Sequence, residues 1–151
     1  MNKILIVHTS WYEEYIKTMI DSATNILTTK YKIDLACAPG AIELPGLAKH
    51  KILQENNSYA GVLFLGIVIR GETTHYELVT NEAFRSIGNL ALDFSNISVI
   101  NNVICVENKD QLLKRLTTNT ENNAKALMSL INEKSIEEII ENYNFIKGKF
   151  V

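Results

Sequence analysis

Gly61-Val62-Leu63-Phe64-Leu65-Gly66-Ile67-Val68-Ile69-Arg70-Gly71-Glu72-Thr73-Thr74-His75-Tyr76 decides the fold. The run from Val62 to Ile69 is apolar without polar alternation and rich in β-branched residues, the signature of a parallel strand covered on both faces. It runs straight into a Gly/Thr turn, and a histidine opens the next helical pattern. In open α/β sheets ligands bind at the carboxyl ends of strands. Gly71, Thr73, Thr74 and His75 fall there, where free backbone N–H groups and a helix N-terminus can hold an anion. A proton-transferring histidine beside an anion cradle is the outline of an active site.

Outward from this strand, strands and helices alternate. Residues 3–7 form a short apolar strand. Ser10 is placed to cap the following helix, with Glu13 three residues on completing a capping box. Trp11, Tyr15, Met19, Ala23 and Ile26 recur at helical spacing. Residues 31–38 read as a second strand, ended by Pro39-Gly40, and 43–53 as a helix with Pro45 in its first turn. After a polar loop at 54–58 comes the long strand, 60–69, then a helix over 74–93 striped by Tyr76, Val79, Ala83, Ile87, Leu90 and Phe94. Residues 97–106 form a fourth main strand. Asn108 caps a helix over 110–116, a polar patch at 117–123 separates it from a helix over 124–131, and Ser135-Ile136-Glu137-Glu138 opens a short helix to about Tyr143, with 145–151 a loose tail. The order βαβαβαβα with right-handed crossovers predicts a doubly wound parallel sheet covered by helices.

The whole chain fits one domain. Its 151 residues are 46% apolar and 21% charged, ordinary for a globular protein. A net charge of −2 and a pI near 5.9, with scattered Lys and Arg, argue against nucleic acid as a partner. No segment is long enough to span a bilayer, and the N-terminal apolar run is too short for a secretory signal. Cys37 and Cys105 each lie in an apolar run and read as buried free thiols in a reducing compartment, with no metal-ligand spacing. A cytoplasmic protein is expected.

Four features bear on chemistry. A lone histidine near a helix start is more often structural or solvated, but the glycine turn at a strand's carboxyl end favours chemistry for His75. His8 also ends a strand, with no comparable turn, and His50 between Lys49 and Lys51 reads as a solvated face. Ala38-Pro39-Gly40-Ala41-Ile42-Glu43-Leu44-Pro45 is either a strand-to-helix turn with Glu43 at a helix N-terminus or a pocket wall whose carboxylate accepts hydrogen bonds from several hydroxyls. Trp11, the sole tryptophan, reads as a core anchor or as a rim aromatic able to stack on a flat heterocycle. Arg115 in isolation is a solvated residue near a helix end.

Together the Ala38–Pro45 segment, the segment from Leu65-Gly66 through Ile69-Arg70-Gly71-Glu72-Thr73-Thr74-His75-Tyr76, and Asn81-Glu82-Ala83 resemble lumazine synthases of the riboflavin pathway, over about residues 3–131. The resemblance implies a single-domain, flavodoxin-like three-layer sandwich with a four-stranded parallel sheet flanked by helices. It assigns residues 1–133 to this domain and leaves 134–151 as a C-terminal extension. It also implies a homopentamer with active sites between subunits, or a 60-subunit shell built from pentamers, and no cofactor or metal. Its substrates would be 5-amino-6-(D-ribitylamino)uracil and 3,4-dihydroxy-2-butanone 4-phosphate. By position, Trp11 would stack on the pyrimidine, Ala41, Ile42 and Glu43 would hold it and its ribityl chain, and Ile67, Val68 and Ile69 would supply backbone contacts. Glu72 and Thr73 match the phosphate-binding turn, His75 the proton donor, and Arg115 a phosphate-binding arginine of the adjacent subunit.

Two departures modify that expectation. Asn101 stands where the family usually has a pocket-closing phenylalanine. Thr117-Thr118-Asn119-Thr120-Glu121-Asn122-Asn123 replaces a Gly-Thr-Lys-Ala-Gly-Asn-Lys run, losing two lysines and gaining Glu121, so weaker binding of the phosphate substrate is expected. The alternative reading is a non-catalytic flavin- or lumazine-binding homologue. An unrelated flavodoxin-like phosphate-binding or signalling domain ranks last, because the chain lacks the acidic cluster that a receiver domain needs for Mg²⁺.

Overall fold

In the computed structural model, which describes residues 2–149 without the side chains of 137–142 and 149, the order is β1 (Lys3–Thr9), α1 (Glu13–Leu27), β2 (Lys32–Ala38), a 3₁₀ turn (Ala41–Glu43), α2 (Leu44–Gln54), β3 (Gly61–Ile69), α3 (His75–Asp93), β4 (Ser98–Val106) and α4 (Lys109–Lys149). The four strands pair in the order β2-β1-β3-β4, all parallel. β3 lies between β1 and β4, with Val7 opposite Phe64 and Phe64 opposite Asn101. This is the predicted four-stranded parallel sheet flanked by helices.

The two sheet faces bury separate cores. On one, Leu5, Val7, Val62, Phe64 and Val103 pack under α2 and α3 through Ala48, Ile52, Ala83, Ile87 and Leu90. On the other, Ile4, Ile6, Leu63, Leu65 and Ile104 meet α1 and α4 through Ile16, Met19, Ala23, Leu112, Leu116 and Leu127. Residues 61–67 of β3 are buried without a break, which is why its sequence lacks alternation. At the start of β3 a Cβ on Gly61 would lie 2.8 Å from Leu127 Cδ1 and 3.1 Å from the Ser98 carbonyl, so glycine lets α4 lie close against the sheet there.

Several local expectations are corrected. Ser10 does not cap α1: Tyr12 occupies the N-cap in the left-handed region (φ 60°, ψ 51°), without a side-chain cap, and its carbonyl accepts from the amides of Tyr15 and Ile16. Cys37 is exposed, because β2 is an edge strand and its outer residues lie beyond the helical cover; Cys105 is half-buried. Burial pushes the Cys105 thiol up to about 11.

The largest correction concerns the last quarter of the chain. The patch 117–123 is not a loop, and Ser135 does not open a new helix; α4 runs unbroken from Lys109 to Lys149. Asn108 does cap it, its Oδ1 accepting from the Gln111 amide at 2.9 Å. Thr120 is fully buried and donates to the Leu116 carbonyl at 2.7 Å. Asn102, buried on β4, donates to Thr120 Oγ1 at 2.9 Å and accepts from Asn123 Nδ2 at 2.6 Å. Poor helix formers are held helical by partners on the sheet. Ser135 is interior to the helix, its hydroxyl donating to the Ile131 carbonyl at 3.1 Å. Within the expected tail, 145–149 is helical, and Phe150 and Val151 lie outside the described residues. Among the described residues no helix is long and apolar enough to cross a membrane.

Candidate active site

From β1 the chain goes first to β2 on one side and later to β3 on the other, so strand order reverses between β1 and β3. At the carboxyl ends of these strands lies a cleft of about 470 Å³, where a doubly wound sheet places its ligands. Its floor is the end of β1 at Thr9 and the end of β3 at Ile67, Val68 and Ile69. One wall is the turn from Pro39 and Gly40 into Ala41, Ile42 and Glu43, and the other is Trp11 and Tyr12. His75 and Val79 of α3 close the remaining side.

Eight of the predicted residues therefore converge: Trp11, Ala41, Ile42, Glu43, Ile67, Val68, Ile69 and His75. Trp11 is 66% exposed, which overturns its reading as a core anchor and leaves it a rim aromatic. It sits in the turn before α1, where the left-handed Tyr12 bends the chain. A non-glycine residue in that region costs about 1–3 kcal/mol and concentrates at ligand sites. Glu43 ends the 3₁₀ turn with its carboxylate folded back over Gly40: a Cβ on Gly40 would lie 3.1 Å from Glu43 Oε2. The bare glycine thus leaves room for that carboxylate at the cleft wall. His75 opens α3 and is exposed; its amide donates to Thr73 Oγ1 at 3.3 Å.

The other four predicted residues do not line the cleft. Glu72 and Thr73 lie in the exposed turn immediately before His75. Arg115 is exposed on α4, its Nη1 donating to the Gln111 carbonyl of its own helix at 3.0 Å. Asn101, on edge strand β4, turns back on its own backbone, its Oδ1 accepting from the Val103 amide at 2.9 Å.

Sequence reading missed Thr9, Tyr12 and Val79 as lining residues. Thr9 is 2% exposed and its hydroxyl has no partner among the described residues. Its position at the end of β1, beside Trp11, was the available signal. Arg70 was also passed over. Its Nε donates to Glu107 Oε2 at 2.6 Å, its Nη1 pairs with Glu77 Oε1, and its guanidinium lies 4.2 Å from the Tyr76 ring centroid. The Arg70 amide also donates to the Val106 carbonyl. These contacts brace the turn 71–74 from both sides, joining β3, β4 and the first turn of α3. The Arg70 guanidinium and Glu77's own backbone hold the Glu77 carboxyl below its ordinary value of 4.5.

The cleft thus combines an aromatic rim, a carboxylate wall, strand-end backbone and a histidine. It can hold a flat polyhydroxylated heterocycle with a proton-transfer group at one edge.

The 6,7-dimethyl-8-ribityllumazine synthase family profile matches residues 1–134, so the rest of α4 lies beyond the match. Among curated relatives similar to this chain are three proteins named 6,7-dimethyl-8-ribityllumazine synthase. That from Erythrobacter litoralis (strain HTCC2594) is 34% identical over 76% of this chain and 80% of its own length. That from Novosphingobium aromaticivorans is 33% identical over 76% and 81%. That from Burkholderia multivorans is 41% identical over 65% of this chain, but the match spans only 55% of that longer protein. With the profile covering most of the chain and the sheet, turn and histidine arranged as described, the chain belongs to the 6,7-dimethyl-8-ribityllumazine synthase family of riboflavin-biosynthesis enzymes.

Proposed function

We propose that the chain condenses 5-amino-6-(D-ribitylamino)uracil with 3,4-dihydroxy-2-butanone 4-phosphate to 6,7-dimethyl-8-ribityllumazine, the penultimate step of riboflavin biosynthesis, with His75 as general acid and base. The observation that carries the reading is the convergence of Trp11, residues 41–43, residues 67–69 and His75 on one cleft.

The chemistry suits these groups. The aromatic amine adds to the ketone, and loss of one water gives the imine. A proton leaves carbon as phosphate departs, and the resulting enol tautomerises to a ketone. The ribityl-bearing nitrogen then attacks that ketone, and loss of a second water closes the ring. Each stage moves protons between adjacent atoms, and the overall reaction is redox-neutral. A positioned histidine contributes typically about 10²–10⁴-fold to such transfers, and holding two substrates in register contributes more. Trp11 would stack on the pyrimidine and Glu43 would accept from ribityl hydroxyls. The turn at Glu72 and Thr73 would take the phosphate.

Arg115 and Asn101 would act across a subunit boundary in a homopentamer. Exposed Leu78, Phe84 and Leu92 on α3 and Leu113 on α4 supply apolar surface for such an assembly. A larger shell would be built from the same pentamers, and a cytoplasmic location accords with the free thiols.

One observation favours the second reading, a flavin- or lumazine-binding homologue without turnover. Thr120 and Asn123 are turned inward to Asn102 and so contribute no donors to a phosphate. Absorbance-monitored formation of the lumazine from both substrates separates the two. Turnover above the spontaneous background establishes the enzyme; tight lumazine binding with background rates alone establishes the binder.

A further inference from the structure

Past Lys134, α4 leaves the body of the domain. The Lys134 ammonium lies 2.9 Å from the Ser95 carbonyl and 3.0 Å from that of Ile97, at the amino end of β4, where the helix passes the foot of the sheet. From Ser135 onward every residue whose side chain is described is exposed. At a rise of about 1.5 Å per residue, residues 135–149 carry the helix roughly 22 Å further. A helix of that length is marginal in water without packing.

This projecting segment has a self-complementary face. Ile136, Tyr143 and Ile146 are 43%, 63% and 55% exposed, and their spacing of seven and then three residues places them along one stripe, as in a heptad seam. The charges are divided along its length. Residues 133–141 carry Glu133, Glu137, Glu138 and Glu141 against Lys134, four negative and one positive, net −3; residues 142–149 carry Lys147 and Lys149, net +2. Parallel pairing of two copies would set acid against acid. Antiparallel pairing sets the acidic half against the basic half, and with Ile136 opposite Ile146 the exposed Glu133 flanks the exposed Lys147 at both ends of the pair.

We propose that residues 135–149 pair antiparallel with the same segment of a second copy of this chain, through Ile136, Tyr143 and Ile146. Such a contact is isologous and needs a two-fold axis. A five-fold ring has none between its own neighbours, so the pairing joins two rings face to face, and between otherwise single chains it makes a dimer. In either case the mass doubles, independently of what the cleft does. In joined rings the pairs act together, so a modest contact in each suffices.

Sedimentation velocity of the full chain beside Tyr143→Glu/Ile146→Glu tests it. Both changes lie on the exposed stripe beyond the sheet, so the domain should keep its fold, read by the near-ultraviolet signal of the buried Tyr59 and Phe64. The variant is expected at half the mass of the parent. Glu133→Lys and Lys147→Glu should each raise the dissociation constant of the paired form at least tenfold, and combining them in one chain should restore the parent's mass. The two positions lie fourteen residues apart on one helix and cannot meet within it, so rescue requires a partner chain. Equal masses for parent and Tyr143→Glu/Ile146→Glu would overturn the proposal, as would a double charge variant no better associated than either single one.

Discussion

Arg70 Nε lies 2.6 Å from Glu107 Oε2, tying the end of β3 to the residue that follows β4, while the same guanidinium pairs with Glu77 and covers the Tyr76 ring. One side chain therefore braces the turn that presents His75. Glu77 Oε2 is buried without a partner among the described residues, so Arg70 is the group that makes its charge tolerable. Arg70→Met should lower the melting temperature at neutral pH and reduce turnover while leaving the sheet intact. The folded-state carboxyl of Glu77 lies below its ordinary 4.5, so this contribution is present above that pH and disappears as pH falls through the folded value. The gap in melting temperature between parent and variant should narrow in acid; a gap that stays constant between about pH 7 and pH 3 would assign the loss to packing instead.

Asn102 holds α4 to β4 through Thr120 and Asn123. Asn102→Ala removes an acceptor from Asn123 and a donor from the buried Thr120, which should cost about 1–3 kcal/mol in urea unfolding. A change within error of zero would show that the network is replaced at no cost.

Thr9 ends β1 at the cleft floor with a buried, unpartnered hydroxyl. Thr9→Val keeps the shape and removes that group, so the ligand-free protein should gain about 1 kcal/mol in thermal or urea unfolding. Loss of stability of that size would mean the hydroxyl is satisfied in solution.

The two thiols should differ in reactivity. Cys37 is exposed, whereas Cys105 is half-buried with its thiol pushed up to about 11, so little thiolate exists at neutral pH. A disulfide-exchange reagent should titrate one thiol quickly in the native protein and two after denaturation. Cys37→Ser should abolish the fast phase.

Much of the sheet and most of the cleft were legible in the sequence. The unbroken apolar run of β3, the Pro-Gly ending of β2 and the Asn108 cap each report a local cause, and local causes survive folding. The four strands start within a residue of their expected positions, and β2, β3 and β4 end where expected at the functional end, whereas β1 runs two residues further, to Thr9. What failed depended on distant partners. The Thr- and Asn-rich patch at 117–123 reads as a helix break because its residues are poor helix formers; Asn102, some twenty residues earlier, supplies the bonds that keep it helical. Ser135 mimics a capping box but bonds back to Ile131 inside the helix. Cys37 looked buried because its neighbours are apolar, and only strand order shows that β2 is an edge. Tyr12 enters the cleft through its own left-handed bend, which no residue pattern announced, whereas Thr9 lines it as the last residue of β1.

The central claim is that one cleft both binds the pyrimidine substrate and moves its protons. Steady-state lumazine formation by the parent, Trp11→Ala and His75→Ala tests it most directly. Both side chains are exposed in the free protein, so neither change should unfold it. Trp11→Ala should raise KM for the uracil substrate about tenfold or more, as loss of one stacking face does, with kcat largely kept. His75→Ala should lower kcat by about 10²–10⁴ with KM nearly unchanged. Parent activity with either variant kinetically indistinguishable from it would contradict the account.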